Sequence, residues 1–410
     1  MLALQIALFA LAFPVLAAAG YLFVLAVAAR APEAPLRFTE HRSSTASGPP
    51  EARVRFDIVV PAHDEEAGIA ATIASLRALD YPEDRRRILV VADNCTDATA
   101  ERAEAAGAEV LVRHDPARRG KGYALAHAFA AIEAEGVADA VVVVDADTTV
   151  SPGLLRAFAR RFEAGAHAVQ ASYGVRNPDA SWRTRLLVIA LALFHVLRSL
   201  GRERLGLSAG LRGNGMGFTR EVLRQVPHGA FSIVEDVEYG LLLGEAGHRV
   251  HFVPEAIVLG DMATKGGGAK TQRRRWERGR FELAKTKGPR LLEGAIARRD
   301  PVLFDLALDL LVPPLASLVL VTVAGAAASL VIVALGGPMW PSVPWLLAAA
   351  CIAVYVLRGW ALSGAGARGL VDLFVLAPAY VIWKLTLHRR RRGPDRDEWV
   401  RTPREVRRGA

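Results

Sequence analysis

The sequence predicts an α/β domain with a mainly parallel sheet and helices on both faces, flanked by apolar helical segments at both ends of the chain. Two observations lead to this prediction. Between about residues 54 and 290, short β-branched runs alternate with alanine- and leucine-rich stretches of helical spacing. Hydrophobic residues make up 52% of the 410 residues, and their excess is concentrated near the two ends. Strands that alternate with helices imply right-handed crossovers and parallel neighbours.

The elements of the middle region follow one another regularly. Strands are predicted at residues 56–60, 88–91, 110–112 and 141–144. Helices are predicted at residues 67–79, 98–106, 123–135 and 237–244, where apolar residues recur at helical intervals. The run 141–144 consists of valines only, which is typical of a strand that is buried on both faces of a sheet.

The first apolar stretch predicts a transmembrane anchor and not a cleaved signal peptide. It runs from Leu2 to Ala29, which is too long for a signal peptide, and no basic segment precedes it. Arg30, Arg37 and Arg42 follow it directly. By the positive-inside tendency, the middle of the chain is expected in the cytoplasm, at the inner membrane.

Further apolar stretches follow in the second half of the chain. Residues 314–335 and 345–362 each predict a membrane span. Residues 370–387 predict a re-entrant or interfacial element, because a full crossing would place the basic tail outside. Within the middle region, residues 182–200 mix apolar side chains with several cations and predict a helix in the membrane interface. A buried core helix of the α/β domain is the alternative for this stretch.

The expected organisation has an N-terminal transmembrane anchor (1–30), a linker (31–53), a cytoplasmic α/β domain (54–290), a C-terminal membrane region (302–388) and a basic cytoplasmic tail (389–410). The formal net charge of +9 indicates an anionic partner: nucleic acid, anionic lipid or a phosphorylated substrate. Because the basic tail adjoins a membrane segment, lipid is favoured over nucleic acid. The two cysteines lie far apart and imply no disulfide framework.

Asp145 and Asp147 directly follow the valine run and predict a site for Mg²⁺ or Mn²⁺. Such hard cations take oxygen ligands and are often held by one or two carboxylates together with substrate phosphates. Ligands of open α/β sheets bind beyond the carboxyl ends of the strands, where these two residues are expected. An isolated Asp-x-Asp would more often be a solvated loop, but other polar clusters accompany this one.

Each of the other early strands is also followed by polar residues. Asp93 follows the second strand, and the glycine-flanked Lys121, after the third, can approach a pyrophosphate with its backbone and its ammonium. Glu235 and Asp236 precede a helix, where one carboxylate can serve as a cap. The segment 272–276 offers arginines and a tryptophan, which suit phosphate binding and sugar stacking, although a basic interfacial helix has the same composition.

Together these residues resemble a family 2 glycosyltransferase with a GT-A catalytic domain, of the membrane-anchored branch that includes cellulose, chitin and hyaluronan synthases. The resemblance covers about residues 54–286. The matched elements are the Pro-Ala-x-x-Glu start at Pro61, Asp93, Asp145-x-Asp147 (a DXD motif), Glu235-Asp236 and the Q-x-x-R-W motif at Gln272. The segments 91–97 and 118–125 most resemble members that act in exopolysaccharide biosynthesis.

The resemblance implies a role for each matched residue. Pro61 begins the donor motif, in which Asp64 stands where the family usually has asparagine. The residues expected to bind the nucleotide-sugar are Glu65, Asp93, Lys121, Asp145 and Asp147, of which Asp147, with Asp145, would hold Mg²⁺ or Mn²⁺. Asp236, next to Glu235, would be the general base. Those expected at the acceptor and pyrophosphate are Gln272, Arg275, Trp276, Gly213 and Asn214.

The resemblance further implies an inverting transfer from a nucleotide-diphosphate sugar, with a UDP-sugar as the expected donor, to a lipid-linked or growing polysaccharide acceptor. The expected partners are therefore donor, acceptor and membrane lipids, and not nucleic acid. A processive polysaccharide synthase is the alternative within the family. A membrane nucleotidyltransferase or a non-catalytic nucleotide-sensing scaffold are alternatives of other classes, although a nucleotidyltransferase has no need of Trp276.

Overall fold

The computed structural model describes residues 2–30, 52–262 and 266–389. The described residues form two compact units. The sheet unit comprises 52–184 and 206–310 apart from 263–265, and the helical unit comprises 2–30, 185–205 and 311–389. Most of the linker expected at 31–53 and nearly all of the basic tail expected at 389–410 lie outside the described residues, so those two expectations stay predictions.

Eight strands of the described ranges form one sheet. They are β1 (Phe56–Ala62), β2 (Arg86–Asp93), β3 (Glu109–Arg113), β4 (Ala140–Val143), β5 (Thr148–Val150), β6 (Ala168–Val175), β7 (Met216–Thr219) and β8 (Val250–Gly260). Their order is β3-β2-β1-β4-β7-β6-β8-β5. The pairs β3-β2, β2-β1, β1-β4 and β6-β8 are parallel, whereas β7 is antiparallel to β4 and β6, and β5 is antiparallel to β8. The sheet is therefore mixed but mostly parallel, as predicted.

The described ranges also contain fifteen α-helices, numbered here in chain order. They are α1 (Leu2–Ala28), α2 (Ile69–Arg77), α3 (Thr99–Ala105), α4 (Lys121–Glu135), α5 (Leu154–Glu163), α6 (Trp182–Leu191), α7 (Arg198–Arg204), α8 (Arg220–Gln225), α9 (Glu235–Glu245), α10 (Gly266–Thr286), α11 (Gly288–Arg298), α12 (Pro301–Leu311), α13 (Leu315–Ala334), α14 (Val343–Ser363) and α15 (Gly366–Arg389). A π-helical turn, Ala192–Leu197, joins α6 to α7.

The central strands bury both of their faces. Along the valine run, Val142 and Val144 belong to one apolar core, and Val141 and Val143 belong to the other, as the period of two along a strand requires. All four valines are at most 1% exposed. Full burial of a valine side chain stabilises a fold by about 1.5–3 kcal/mol, so this strand anchors the turn that follows it.

In the helical unit, apolar helices pack around α1 and α14. Four helical stretches of the described residues are long and apolar enough to cross a membrane: Leu2–Ala28, Trp182–Arg204, Leu315–Ala334 and Val343–Ser363. Three of them coincide with the predicted anchor and the two predicted C-terminal spans. The region at 370–387 lies within α15, and its interfacial or re-entrant placement stays a prediction.

The stretch 182–200 packs with the apolar helices and not with the cores of the sheet. Ile189, Leu193 and Leu197 share an apolar cluster with residues of α1 and α14. The helix has no place in the two cores on the faces of the sheet, so the alternative of a core helix is wrong.

The chain returns to the sheet after this helix. Before the helix, β6 ends at Val175; after it, the backbone N–H of Ala209 donates to the carbonyl oxygen of Val250 in β8. The interfacial placement of residues 182–200 stays a prediction.

Candidate active site

The turn that carries Asp145 and Asp147 lies at the carboxyl end of β4 and is hydrogen-bonded to the side chain of Asn214. The Asn214 side chain is fully buried; its Oδ1 accepts the backbone N–H of Asp145 at 3.2 Å, and its Nδ2 donates to Thr148 Oγ1 at 2.8 Å. Both carboxylates remain partly exposed. Asn214, expected at the acceptor, thus occupies a position beneath the aspartate turn, and its acceptor role stays a prediction.

Lys121 joins the aspartate turn to the second acidic pair. Its Nζ lies 2.5 Å from Asp145 Oδ1, donates to the carbonyl oxygen of Gly213, and lies 3.9 Å from Glu235 Oε1. Burial acts to lower its pKa, but the nearby carboxylates of Asp145 and Glu235 outweigh burial and raise the pKa of Lys121. Lys121 is therefore an ammonium that links the two acidic pairs.

Two glycines make this close approach possible. Gly213 has φ of +78°, and a Cβ there would lie 3.3 Å from Asp236 Oδ2 and 3.7 Å from Lys121 Nζ. Gly122 follows Lys121 in α4, and a Cβ there would lie 2.3 Å from the carbonyl oxygen of Ala230. A side chain at Gly213 would crowd Asp236 and Lys121, and one at Gly122 would clash with the backbone of Ala230, which is a reason for glycine at both positions.

Glu235 and Asp236 form the first turn of α9 and are both held in a low-dielectric environment. Burial raises the pKa of Glu235 to about 8, a shift that Lys121 opposes and the neighbouring Asp236 increases. Burial also raises the pKa of Asp236, although backbone N–H groups and Lys121 act against that shift. Two adjacent acids with raised pKa values accept and release protons at higher pH than exposed carboxylates do.

Asp93 lies at the end of β2 and is fully buried. Its Oδ1 accepts from Arg113 Nη1 at 2.5 Å and from Asn94 Nδ2 at 3.1 Å. Among the described residues, Asp93 Oδ2 has no hydrogen-bond partner. Sequence reasoning missed Arg113, although its position at the carboxyl end of β3 was a usable signal. The pair provides a fixed carboxylate with one acceptor oxygen left for a ligand.

The remaining predicted donor residues lie at the same edge of the sheet. Pro61 is buried within β1, next to Val91 of β2. Glu65 is partly buried in the following loop, where its backbone N–H donates to Thr99 Oγ1 at 2.8 Å. In the same loop, Asp64 has φ of +53° and accepts the backbone N–H of Thr96 at 2.6 Å. Its carboxylate therefore cross-links the two loops that follow β1 and β2.

A second acidic group, formed by Asp64, Cys95 and Asp97, has ligand atoms within 4.8 Å of one another. Its groups already bond within the loops: Asp97 accepts the backbone N–H of Thr99 at 3.0 Å, and Cys95 Sγ contacts the carbonyl oxygen of Ala62 at 3.5 Å. Burial raises the pKa of the Cys95 thiol, which keeps it protonated. A neutral thiol does not suit Mg²⁺ or Mn²⁺, so this group does not replace the Asp145–Asp147 pair, whose cation role stays a prediction.

Trp276 lies on α10, and its side chain is half exposed. Three residues further on, Gly279 packs against Ile233 and Val234, since a Cβ there would lie 2.6 Å from Ile233 Cγ2. The helix thus runs beside the segment that leads into Glu235. The side chains of Gln272 and Arg275 lie outside the described residues, so their expected contacts stay predictions.

Comparisons with known proteins bear on this geometry. The sequence model of the family described as Glycosyltransferase like family 2 matches residues 52–279, which is more than half of the chain. The chain belongs to this family. The match covers the sheet unit from before β1 into α10, and it includes all of the acidic residues discussed above.

Two relatives of the family are similar in sequence. The chain is 27% identical over 242 residues to a probable glycosyltransferase, YdaM, of Bacillus subtilis (strain 168), and the match covers 55% of each chain. It is 29% identical over 234 residues to the beta-monoglucosyldiacylglycerol synthase of Synechocystis sp. (strain ATCC 27184 / PCC 6803 / Kazusa), covering 55% of this chain and 47% of that protein. The chain thus spans about half the length of the relatives that it matches.

A solved structure shares the fold of this family 2 chain. The mannosyltransferase PcManGT from Pyrobaculum calidifontis, solved in complex with GDP-Man and Mn²⁺, is 18% identical, with a TM-score of 0.53. The similarity covers 90% of this chain and 99% of that one. The predicted GT-A fold and the predicted family are confirmed, whereas the synthase-like branch and the exopolysaccharide subtype stay predictions.

The buried position of Asn214 generates a first prediction. We expect Asn214→Ala to lower the free energy of unfolding by roughly 1–3 kcal/mol, because the N–H of Asp145 and the hydroxyl of Thr148 lose buried partners. Chemical denaturation of the detergent-solubilised protein measures this. Gln225→Ala, which removes an exposed amide, is the control and should change stability little. Equal stability of both variants would contradict the supporting role of Asn214.

The raised pKa values of Glu235 and Asp236 generate a second prediction. A general base acts only when deprotonated, so a raised pKa means that activity is lost as pH falls through that value. We expect the acid limb of the kcat/KM profile to lie at clearly higher pH than the limb near pH 4 that an exposed carboxylate gives, because the pKa values of Glu235 and Asp236 are both raised. Glu235→Gln should remove the higher apparent pKa of the coupled pair. An acid limb near pH 4 in the unsubstituted protein would contradict this arrangement.

Proposed function

We propose that this protein is an inverting, metal-dependent glycosyltransferase that moves a sugar from a nucleotide-diphosphate sugar to a lipid-linked or growing polysaccharide acceptor. The observation that carries the proposal is the convergence of both acidic pairs on Lys121, with Asp145 Oδ1 at 2.5 Å and Glu235 Oε1 at 3.9 Å from Nζ. One pair suits the diphosphate end of a donor, and the other suits an acceptor hydroxyl.

The donor side is supported by the polar residues at the ends of β1 to β4. Asp93 Oδ2 can accept a hydrogen bond from the N–H of a nucleobase. Lys121 can bind a phosphate of the nucleotide-sugar once that phosphate displaces the ammonium from Asp145. Uracil has an N–H group that can donate to such a carboxylate, which agrees with the expected UDP-sugar. The guanine of GDP also has such a group, so donor screening must include both nucleotides.

The residues present fit a hard divalent cation. Asp145 and Asp147 offer partly exposed carboxylate oxygens at the edge where ligands of α/β sheets bind, and their turn is held by the buried Asn214. We assign the cation, Mg²⁺ or Mn²⁺, to Asp147 with Asp145. When bound, the cation would offset the charge that grows on the diphosphate leaving group.

On the acceptor side, Asp236 is assigned as the general base. The pKa of a sugar or lipid hydroxyl is far too high for spontaneous ionisation, so a base with a raised pKa near the reacting carbon is needed. Asp236 would take this proton while the hydroxyl attacks the anomeric carbon and the bond to the diphosphate breaks. One displacement of this kind inverts the anomeric centre. Glu235 and Lys121 would keep the base in place.

A membrane-bound acceptor is supported by the helical unit and by one relative. Arg358 Nη2 in α14 donates to the carbonyl oxygen of Ala29, so Arg358 lies at the level of Arg30, which follows α1. This arrangement agrees with an N-terminal anchor whose basic flank, with the catalytic domain, lies in the cytoplasm at the inner membrane. The name of the Synechocystis relative refers to a glucosylated diacylglycerol, which is a lipid.

The experiment that tests the proposal is a transfer assay with the purified full-length protein. Labelled UDP- and GDP-sugars are incubated with Mn²⁺ and with membrane lipid extracts, and the products are separated into lipid and polymer fractions. Label in a chloroform-soluble lipid supports single addition, and label in a long polymer supports a processive synthase. If neither fraction acquires label from any donor, the proposed transfer is wrong.

For the cation, we expect Asp147→Ala to abolish transfer and to weaken Mn²⁺-dependent nucleotide binding, because the carboxylate that holds the cation is lost. Isothermal titration with UDP and GDP in the presence of Mn²⁺ measures the binding. Asp179→Ala, which changes a carboxylate of a short 3₁₀ turn after β6, is the control. Full activity of the Asp147 variant in excess chelator would refute the assignment.

For the base, Asp236→Asn should reduce kcat by at least roughly 10²–10⁴-fold, the usual contribution of general base catalysis. Nucleotide affinity should change little, because the base faces the acceptor hydroxyl. Rapid-quench measurement of transfer, together with titration of the nucleotide, separates the two effects. An equal loss of donor affinity would make Asp236 a donor-binding residue and would leave Glu235 as the candidate base.

A further inference from the structure

Three strand ends meet beside the aspartate turn and bring two further charged residues to it. In the registers of β5, β6 and β8, Gly260 pairs with Thr148 on one side and with Val175 on the other. The residues adjacent to these three positions are Asp147, Arg176 and Asp261. All three therefore lie at one point of the sheet edge, and neither Arg176 nor Asp261 has a role in the proposed reaction so far.

Arg176 and Asp261 form a two-pronged ion pair. Arg176 Nε lies 2.8 Å from Asp261 Oδ1, and its Nη2 donates to the other carboxylate oxygen. Both side chains are about one-third exposed. Parallel hydrogen bonds of this kind between a guanidinium and a carboxylate fix orientation as well as distance.

The backbone holds this pair in place from both strands. The N–H of Arg176 donates to the carbonyl oxygen of Gly260 at 3.0 Å. The next residues are joined reciprocally, because Asn177 Nδ2 donates to the carbonyl oxygen of Met262 at 2.9 Å and the N–H of Met262 donates to Asn177 Oδ1 at 2.8 Å. The ends of β6 and β8 thus present the two charges in a fixed position next to Asp147.

Electrostatics connect the pair to Asp147. The hydrogen bonds and the charge of Asp261 raise the pKa of Arg176, against the effect of its partial burial, and the charge of Asp147 contributes in the same direction. The guanidinium therefore interacts with two carboxylates, although it donates both of these hydrogen bonds to Asp261.

We propose that Arg176 and Asp261 are positioning residues that neutralise each other beside Asp147 and thereby keep Asp147 available to the divalent cation. This inference rests on the proposed function in one respect, the assignment of the cation to Asp147. Without Asp261, the guanidinium would turn to Asp147 and compete with the cation. Without Arg176, the charge of Asp261 would add to that of Asp147 and draw the cation towards the end of β8, away from its productive position.

The two substitutions should therefore change cation affinity in opposite directions. We expect Asp261→Asn to weaken Mn²⁺ binding and Arg176→Ala to strengthen it, each by roughly three- to tenfold for one unit charge at short range near a protein surface. The double variant should return to within about twofold of the unsubstituted protein, since its net charge is restored. Arg176→Lys keeps the charge and should also stay within about twofold.

Mn²⁺ binding is measured on the full-length, detergent-solubilised protein from the electron paramagnetic resonance signal of free Mn²⁺. Arg220→Ala and Glu133→Gln are matched controls. Arg220 Nε lies 3.0 Å from Glu133 Oε2, and its Nη2 lies 3.4 Å from Oε1. This pair lies at the opposite edge of the sheet, because Arg220 follows Thr219, which pairs with Ala140 at the start of β4. Neither control should change Mn²⁺ affinity.

If Mn²⁺ affinity changes in the same direction in both single variants, the pair has a merely structural role and the inference is overturned. It is also overturned if neither variant shifts, or if the unsubstituted protein binds no Mn²⁺. Sugar transfer is assayed in parallel and separates the two proposals. If Mn²⁺ affinity shifts in opposite directions but the protein transfers no sugar, only the proposed function is refuted. If transfer depends on Mn²⁺ but both affinities shift in the same direction, only this inference is refuted.

Discussion

The ammonium of Lys121 joins the two acidic pairs on which the proposed chemistry depends. Four carboxylates of Asp145, Asp147, Glu235 and Asp236 would repel one another if they met in a partly buried space without a cation. Lys121 contacts one member of each pair, and the carbonyl oxygen of Gly213 holds the ammonium between them. Because Lys121 is the first residue of α4, its position follows directly from the crossover between β3 and β4.

Around this contact, the sheet supplies buried polar groups that hold the charged ones. Gln170, in the centre of β6, donates to the carbonyl oxygen of Asn214 at 2.8 Å and accepts the backbone N–H of Arg212 at 2.8 Å. Asn214 in turn holds the aspartate turn. A buried amide is costly unless its hydrogen bonds are made, so this network is rigid as long as it is complete. The buried amides therefore hold the backbone in place, and the functional side chains can face the ligand.

Two buried arginines of the helical unit donate hydrogen bonds to tyrosines. Arg198 Nε donates to the hydroxyl of Tyr355 at 3.0 Å, and that hydroxyl donates to the carbonyl oxygen of Leu193 at 2.9 Å. Arg202 Nη2 donates to the hydroxyl of Tyr21 at 2.5 Å. The bonded carbonyl belongs to the π-helical turn, in which the regular pattern of backbone bonds is interrupted. These bonds connect the interrupted helix to α1 and α14, and they make a charged helix compatible with apolar neighbours.

The sequence by itself determined the fold class and the identity of most candidate residues. Runs such as 141–144 are apolar at every position, which is typical of a strand buried on both faces, and polar residues that follow parallel strands gather at one edge of the sheet. Tertiary structure alone decided which of them meet. Lys121 and Glu235 are far apart in the chain, and nothing local indicates their contact. The supporting roles of Asn214 and Arg176 were equally hidden, because a side chain that bonds a distant segment leaves no periodic signal. Helical spacing and composition are local properties, whereas the strand order and register that join Thr148, Gly260 and Val175 result from packing of the whole sheet.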